Sequence, residues 1–273
     1  MSTKGLDPAI VPSLLSDEAA SPANPQDPAP WTNFGDWSRT TAYSQAARDL
    51  ALDAGHAANL QPHSRVLDLA CGLGASLELW ASHFGVKVID AVEVQKACTD
   101  FIRARDLPAL EELHAGRFET FALPANRYDA IISVDAAYHF VVPEPFLRQV
   151  AGGLRPGGWL VFHALTTTKE PMPHCGIQRL LQAAEIHPEH LIRRSEWERL
   201  LRQDPWREGS VQSLREPVWR GFAEFVRRRG PELERTRRLS AGWARIWLAR
   251  HLCRLLLWEG SVDYVRVAVQ KRR

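Results

Sequence analysis

From Arg65 onward the chain alternates short apolar runs of period two with longer stretches whose apolar residues fall three or four apart. "RVLDLA" (65–70) reads as a strand and "ASLELWASHF" (75–84) as a helix, then "VKVIDAVE" (86–93) as a strand and "QKACTDFIRAR" (95–105) as a helix. Further on, "YDAIISVD" (128–135) is a strand, "PEPFLRQVAGGL" (143–154) a helix ended by its glycines, and "GWLVFHAL" (158–165) another strand. The span "ELHAGRFETFALP" (112–124) is less cleanly patterned and is expected to hold one more short strand. Such a repeat predicts a parallel sheet covered by helices on both faces, because parallel neighbours need crossover connections and these are right-handed.

Beyond Thr168 the period changes. "IQRLLQAAE", "SEWERLLRQ", "VWRGFAEFVRRR" and "SAGWARIWLARHLCRLLLW" are all helical in spacing, and "SVDYVRVAVQ" (261–270) returns to period two. A chain that ends in a strand after a helical excursion most simply returns it to the original sheet. The expected organisation is therefore one domain over 31–273: a core at 61–168, a mainly helical cap at 171–262, and a terminal strand at 263–273. Ahead of the core, "SRTTAYSQAARDLALDAGHAANL" predicts a capped helix with apolar Ala42, Ala46, Leu50 and Ala57. Residues 1–30, with "SPANPQDPAP" and little apolar periodicity, are expected to form a disordered tail.

Composition changes this picture little. The 273 residues are 45% hydrophobic and 24% charged, as in an ordinary globule, and no run approaches a membrane span or a secretory signal, so a cytoplasmic location is expected. Cys71, Cys98, Cys175 and Cys253 form no C-x-x-C pair, which predicts reduced, mostly buried thiols. Charge is less even than the net +2 suggests: residues 1–190 hold 14 basic against 22 acidic side chains, and residues 191–273 hold 20 against 10. That asymmetry can mark a surface for an acidic partner or a membrane. The arginines are spread along amphipathic stretches and mixed with acids, so nucleic acid is not the expected partner.

The candidate chemistry begins with "VLDLACGLG", Val66 to Gly74. A glycine-rich turn between a strand and a helix brings backbone N–H groups and the positive helix end close to a ligand. Gly72 and Gly74 fit the dinucleotide fingerprint, but its third glycine is replaced by Leu77. Asp68, four residues before Gly72, would repel a pyrophosphate and suit an ammonium. S-adenosylmethionine carries an ammonium and a sulfonium and no phosphate, so the turn fits it better than NAD. Glu93, at the end of the second strand, stands where a carboxylate can accept hydrogen bonds from both ribose hydroxyls.

"VLDLACGLGASLELWASHFGVKVIDAVEV", "YDAIISVDAAYHF" and "LRPGGWLVFHA" together resemble the successive motifs of class I S-adenosylmethionine-dependent methyltransferases. "NFGDW", "AAYHF", "VWRGFAEFVRRRG" and "VDYVRVAVQK" further resemble small-molecule members with a helical lid, among them tocopherol-type enzymes and a fungal group. The resemblance implies an α/β, Rossmann-like three-layer sandwich: a seven-stranded, mostly parallel sheet with an antiparallel last strand, plus a helical cap. It also implies S-adenosyl-L-methionine as cofactor. Asp68 and the backbone of Ala70, Gly72 and Gly74 would hold the methionine portion, with Asp135 and Ala136 beneath it. Glu93 would hold the ribose, and Val94 one face of the adenine. The residue after the third strand, often an aspartate in the family, is here Arg117 followed by Phe118, so the adenine contact falls to backbone, to Glu119, or to another register.

Methyl transfer needs a base only if the acceptor must lose a proton. His139, at the carboxyl edge of the sheet, is the candidate, its alternative being a hydrogen bond to a neighbouring loop. Tyr138 would orient substrate or simply pack. Trp37 would close over the cofactor or substrate, or anchor the first helix. Trp219 and Phe222 in the cap are candidate walls of an apolar pocket, or core. His163, His174 and Cys175 lack a grouped fourth ligand, so no metal is expected. Ten tryptophans favour an apolar or aromatic acceptor, although the arginines of the cap would equally suit an acidic group on it. A non-catalytic cofactor-binding protein on the same fold and a nicotinamide-dependent oxidoreductase are the rival readings.

Overall fold

The strand-helix alternation folds in the predicted order. The computed structural model describes residues 28–168, 175–187, 190–207, 209–236 and 241–273. Helix α1 (Tyr43–Ala57) leads into β1 (Arg65–Leu69), α2 (Ala75–Phe84), β2 (Val88–Glu93), α3 (Lys96–Arg103), β3 (Leu110–Ala115) and β4 (Tyr128–Ser133). The chain continues through α4 (Pro143–Gly153), β5 (Leu154–Thr167), α5 (Cys175–Ala183), β6 (Ile192–Arg193) and α6 (Arg194–Leu200). It closes with β7 (Ser210–Ser213), α7 (Gly221–Thr236), α8 (Ala241–Glu259) and β8 (Val262–Gln270).

The strands form one sheet in the order β3-β2-β1-β4-β5-β8-β7, with β6 pairing beside β5. β1 to β5 are parallel neighbours, and β8 runs antiparallel between β5 and β7. The antiparallel last strand is thus present, but the sheet has eight strands rather than seven. Two of the eight lie in the span expected to be cap and were not among the six strands patterned in the sequence: β6 is only two residues long, and β7 pairs Ser210–Ser213 with Val265–Ala268. Neither carries enough alternating residues to stand out from the helical pattern around it.

β1 and β4 are buried almost throughout, as a strand flanked on both sides and covered on both faces must be. Helix α1 buries Ala46, Ala47, Leu50, Ala51 and Ala54, a stripe at helical spacing, but no side chain caps it: its N-cap position is Ala42. Of the residues read as tail, 1–27 lie outside the described residues. Ala29 is buried, and its N–H donates to Glu78 Oε2 at 2.9 Å. Cys71, Cys98 and Cys253 are buried free thiols. Among the described residues no helix is long and apolar enough to cross a membrane.

Candidate functional site

The strand ends at the carboxyl edge of the sheet carry the site. After β1 the backbone turns through three left-handed residues, Ala70 (φ 59°), Gly72 (φ 58°) and Gly74 (φ 88°). Two are glycines, which adopt this conformation without strain; Ala70 does so at a cost, a feature that clusters at functional sites. Its N–H donates to Val92 O at 2.8 Å, which ties the turn to β2.

Asp68 sits between β2 and β4, paired with Ala91 and Ile132, and is 1% exposed. Trp80 Nε1 donates to its Oδ2 at 2.7 Å. Burial pushes its pKa up to about 7; hydrogen bonds from Ser76 and Trp80 oppose the rise, and the charge of Glu93 adds to it. Glu93, at the end of β2, is also buried; its Oε2 accepts from Gly72 N–H at 2.9 Å and its Oε1 from Gln95 N–H at 2.8 Å. Burial raises its pKa as well, against the pull of those backbone N–H groups. Two buried carboxylates thus stand on adjacent strands beside one glycine turn, and among the described residues no cation pairs with either.

A strap formed by residues 29–37 lies over this turn. The Asn33 side chain donates to Ala47 O, the Asp36 N–H to Ala46 O, and the Trp37 N–H to Pro217 O. Tyr43 OH donates to Asn33 O at 2.8 Å. Under the strap is a small cavity with about 30 Å³ open to water. Pro30, Trp31, Thr32 and Asn33 line one side; Asp68, Ala70, Cys71 and Ser76 line the other. A side chain at Gly72 would meet Thr32 Oγ1 at 3.3 Å, so the close approach of strap and turn depends on glycine there.

A third acid lies across the same edge. Asp135, just past β4 and left-handed at φ 54°, accepts from Tyr138 OH at 2.8 Å, Tyr264 OH at 2.7 Å and Phe34 N–H at 2.6 Å. Its own N–H donates to Nδ1 of His163 at 3.1 Å. Burial lifts the Asp135 pKa to about 6 despite those three donors. His163 is driven down to about 3, mainly by burial, so it is neutral near pH 7.

The structure divides the predicted residues into groups. Asp68, Ala70, Gly72, Gly74 and Glu93 converge on the turn. Val94 follows them with its side chain 57% exposed. Phe118 is instead packed in the core, its ring 5.6 Å from that of Phe146, and Arg117 pairs with Glu119 at 2.9 Å. Phe118 lies buried in a short 3₁₀ turn, in one core cluster with Phe140 and Phe146. Trp37 stacks on Phe225 of α7 at 4.8 Å, and its Nε1 donates to Phe34 O, so it joins strap to cap. Trp219 and Phe222 are both buried; Trp219 lies 6.0 Å from the Tyr264 ring and Phe222 4.8 Å from Phe34. His139 is exposed, with Nδ1 3.3 Å from Glu185 O, outside the Asp135 cluster. His174 lies outside the described residues, as does the Cys175 side chain; among the described residues no His, Cys, Asp and Glu gather as metal ligands.

Sequence reasoning missed the strap residues Trp31 to Asn33, the Ser76 and Trp80 donors to Asp68, and Tyr264 in the Asp135 cluster. Trp80 was legible only as a helical apolar position, and Tyr264 only as one residue of a period-two strand.

Residues 67–162 match the family of the methyltransferase domain. A malonyl-[acyl-carrier protein] O-methyltransferase of Porphyromonas gingivalis is 32% identical over 106 residues, 39% of this chain and 40% of that protein. The chain thus spans about two fifths of the length of the curated relative it matches. Among solved structures, a cyclopropane synthase of Mycobacterium tuberculosis superposes with a TM-score of 0.70 at 20% identity, over 88% of this chain and 90% of that one. Geranyl diphosphate C-methyltransferase of Streptomyces coelicolor A3(2), solved with S-adenosyl-L-homocysteine, superposes with a TM-score of 0.70 at 13% identity, over 99% and 100%. The matched span contains β1 to β4 and most of β5, and with them both carboxylates and the glycine turn. Residues 67–162 thus carry the pattern of a methyltransferase domain, and the fold around them is shared with the solved structures above.

Proposed function

We propose that this protein transfers the methyl group of S-adenosyl-L-methionine to a small acceptor with an apolar or aromatic body. The observation that carries the reading is the pair of buried carboxylates, Asp68 and Glu93, beside the Gly72 turn, with no cation against them among the described residues. A buried acid poised near neutrality fits a ligand that brings its own ammonium, and a cavity with no basic side chain among its described lining residues does not fit a pyrophosphate. Asp68 would hold the ammonium, with the backbone of Ala70, Gly72 and Gly74 around the methionine portion. Glu93 would accept from the ribose hydroxyls with the lone pairs its two backbone bonds leave free. Val94 would cover one face of the adenine.

When bound, the donor supplies a methyl group on a positively charged sulfur, open to in-line displacement. The task left to the chain is to hold the acceptor aligned and dry. Trp37, Tyr138, Trp219 and Phe222 are the side chains proposed for that apolar chamber, with Tyr138 fixed by Asp135. Where the acceptor must lose a proton, His139 is the proposed base. The Glu185 carbonyl calls for a proton on Nδ1, which leaves the Nε2 lone pair available. Such an enzyme would work in the cytoplasm on a small molecule rather than on nucleic acid.

Calorimetry with S-adenosyl-L-homocysteine tests the reading: folded protein that shows no binding at high micromolar concentration would overturn it. His139→Ala is expected to lower turnover and leave homocysteine-analogue affinity intact; undiminished turnover would return His139 to a structural role.

A further inference from the structure

The cap carries a feature the reaction does not use. Between Arg220 and Trp258, α7 and α8 form a cleft with about 400 Å³ open to water, lined by Arg220, Arg227, Arg250, Arg254, Leu257 and Trp258, with Glu224 at its side. Arg220 is paired with Glu216 at 2.5 Å, but among the described residues no carboxylate pairs with Arg227, Arg250 or Arg254. Arg250 Nε is buried and has no hydrogen-bond partner. Loss of water, together with the like charges of Arg254 and Arg227, lowers the Arg250 pKa, as expected where positive charge is gathered without compensation. From residue 216 to residue 259 the sequence has ten arginines against five glutamates and no aspartate.

The same helix presents large apolar side chains to water. Trp258 is 83% exposed, Trp247 45% and Leu248 48%. Positions 247, 251, 254 and 258 are spaced four, three and four apart, which places them on one face of α8. The opposite face carries Ile246, Cys253 and Leu256, all buried in the cap core. The outer face therefore reads Trp247, His251, Arg254, Trp258, with Leu248 beside it and the arginine cleft along its flank. Indoles mixed with guanidinium groups suit the boundary between headgroups and acyl chains, where the ring is half in hydrocarbon and the charge meets phosphate.

We propose that the outer face of α8 and the neighbouring arginine cleft dock the protein on the surface of an anionic lipid bilayer. Charge complementarity selects this partner: three guanidinium groups with no carboxylate partner among the described residues suit anions, and two exposed indoles suit an apolar surface beside them. A bilayer offers both in one plane, and a small anion would leave the tryptophans in water. The helix lies on the membrane and does not cross it.

Flotation of the full chain tests this, with vesicles of phosphatidylcholine alone and of phosphatidylcholine mixed with phosphatidylglycerol. Flotation with the mixed vesicles alone is expected, at low salt and not at high salt, because charges outside the protein core are screened. Arg250→Gln and Arg254→Gln should each weaken binding about fivefold. Trp258→Ala should weaken it without altering the salt dependence, and quenching of tryptophan emission by brominated lipid should fall in the Trp247→Phe, Trp258→Phe double variant. No flotation with anionic vesicles at low salt would overturn the proposal, as would arginine variants that float like the parent. Tighter retention of a duplex oligonucleotide than of the vesicles, lost in the same variants, would reassign the face to nucleic acid. None of these readouts depends on turnover, so failure here is distinct from failure of the methyltransferase reading.

Discussion

If Asp68 holds the ammonium of the donor, proton and ligand compete for one buried carboxylate. In the free protein that carboxyl titrates at about 7. Only its ionised form attracts an ammonium, so affinity should fall as pH drops below that midpoint. Half of Asp68 is ionised at pH 7 and about 1% at pH 5, which corresponds to about fiftyfold weaker binding, or about 2 kcal/mol. The ligand's own amino group stays protonated over that range, so the slope reports the protein. Asp68→Asn keeps an acceptor for the Trp80 indole and is expected to fold. It should bind about thirtyfold more weakly at pH 7.5, from the loss of about 2 kcal/mol of a buried charge contact. It should also lose most of the dependence between pH 5 and pH 7. Calorimetric titration of S-adenosyl-L-homocysteine at several pH values reads both effects. Equal affinity at pH 5 and pH 7 in the parent, or an unchanged slope in Asp68→Asn, would refute the assignment.

Three further outcomes follow from the geometry. Trp80→Phe removes the indole donor to Asp68 and should cost about 1–3 kcal/mol in urea unfolding; by raising the Asp68 pKa it should also move the midpoint of the binding profile to higher pH. Tyr264→Phe takes one donor from Asp135, whose pKa of about 6 in the folded protein already exceeds the ordinary 3.8. The contribution of such a group to stability is greatest below its unfolded value and is lost as pH rises through the folded one. The variant should therefore be destabilised by about 1–3 kcal/mol at pH 8 and by less at pH 5, as compared by denaturant titration. Gly221→Ala would set its Cβ 2.2 Å from Trp37 Cβ, so strap or cap must shift; a loss of about 1–3 kcal/mol and a lower Tm by calorimetry are expected.

The parts of the fold legible in the sequence are those where one residue pattern repeats over enough positions. β1, β2 and β4 carry near-continuous apolar runs because each is buried on both faces, and the intervening helices show their stripes. Asp68 and Glu93 were readable for the opposite reason, since a carboxylate inside or at the end of such a run breaks the pattern and calls for a partner. β7 was not readable: four residues with one buried side chain, Val211, give no alternation to detect. The packing of Phe118 against Phe140 and Phe146 was not readable, because position after a strand does not fix which way a ring turns. The donors to Asp68 and Asp135 were hidden by distance along the chain: Tyr264 lies 129 residues from Asp135, and only the antiparallel return of β8 beside β5 brings it there.

The Asp135 cluster explains how an acceptor chamber can be assembled from segments so far apart in sequence. Phe34 belongs to the strap, Tyr138 to the turn after β4, and Tyr264 to β8; all three donate to one carboxylate. A buried acid with a single donor would stay largely protonated and bind its neighbours weakly, whereas three donors keep its pKa near 6 and make it an ionised hub at neutral pH. Because the hub fixes the strap through Phe34, and Trp37 in turn stacks on Phe225 of α7, strap and cap are held as one body against the sheet. The strap is also the outer wall of the cavity over Gly72, where the space open to water is far smaller than a nucleoside. A movement of the strap at Phe34 would disturb the hub that holds Tyr138. Asp135 would thereby couple the strap, the turn after β4 and β8, the three segments proposed to enclose donor and acceptor.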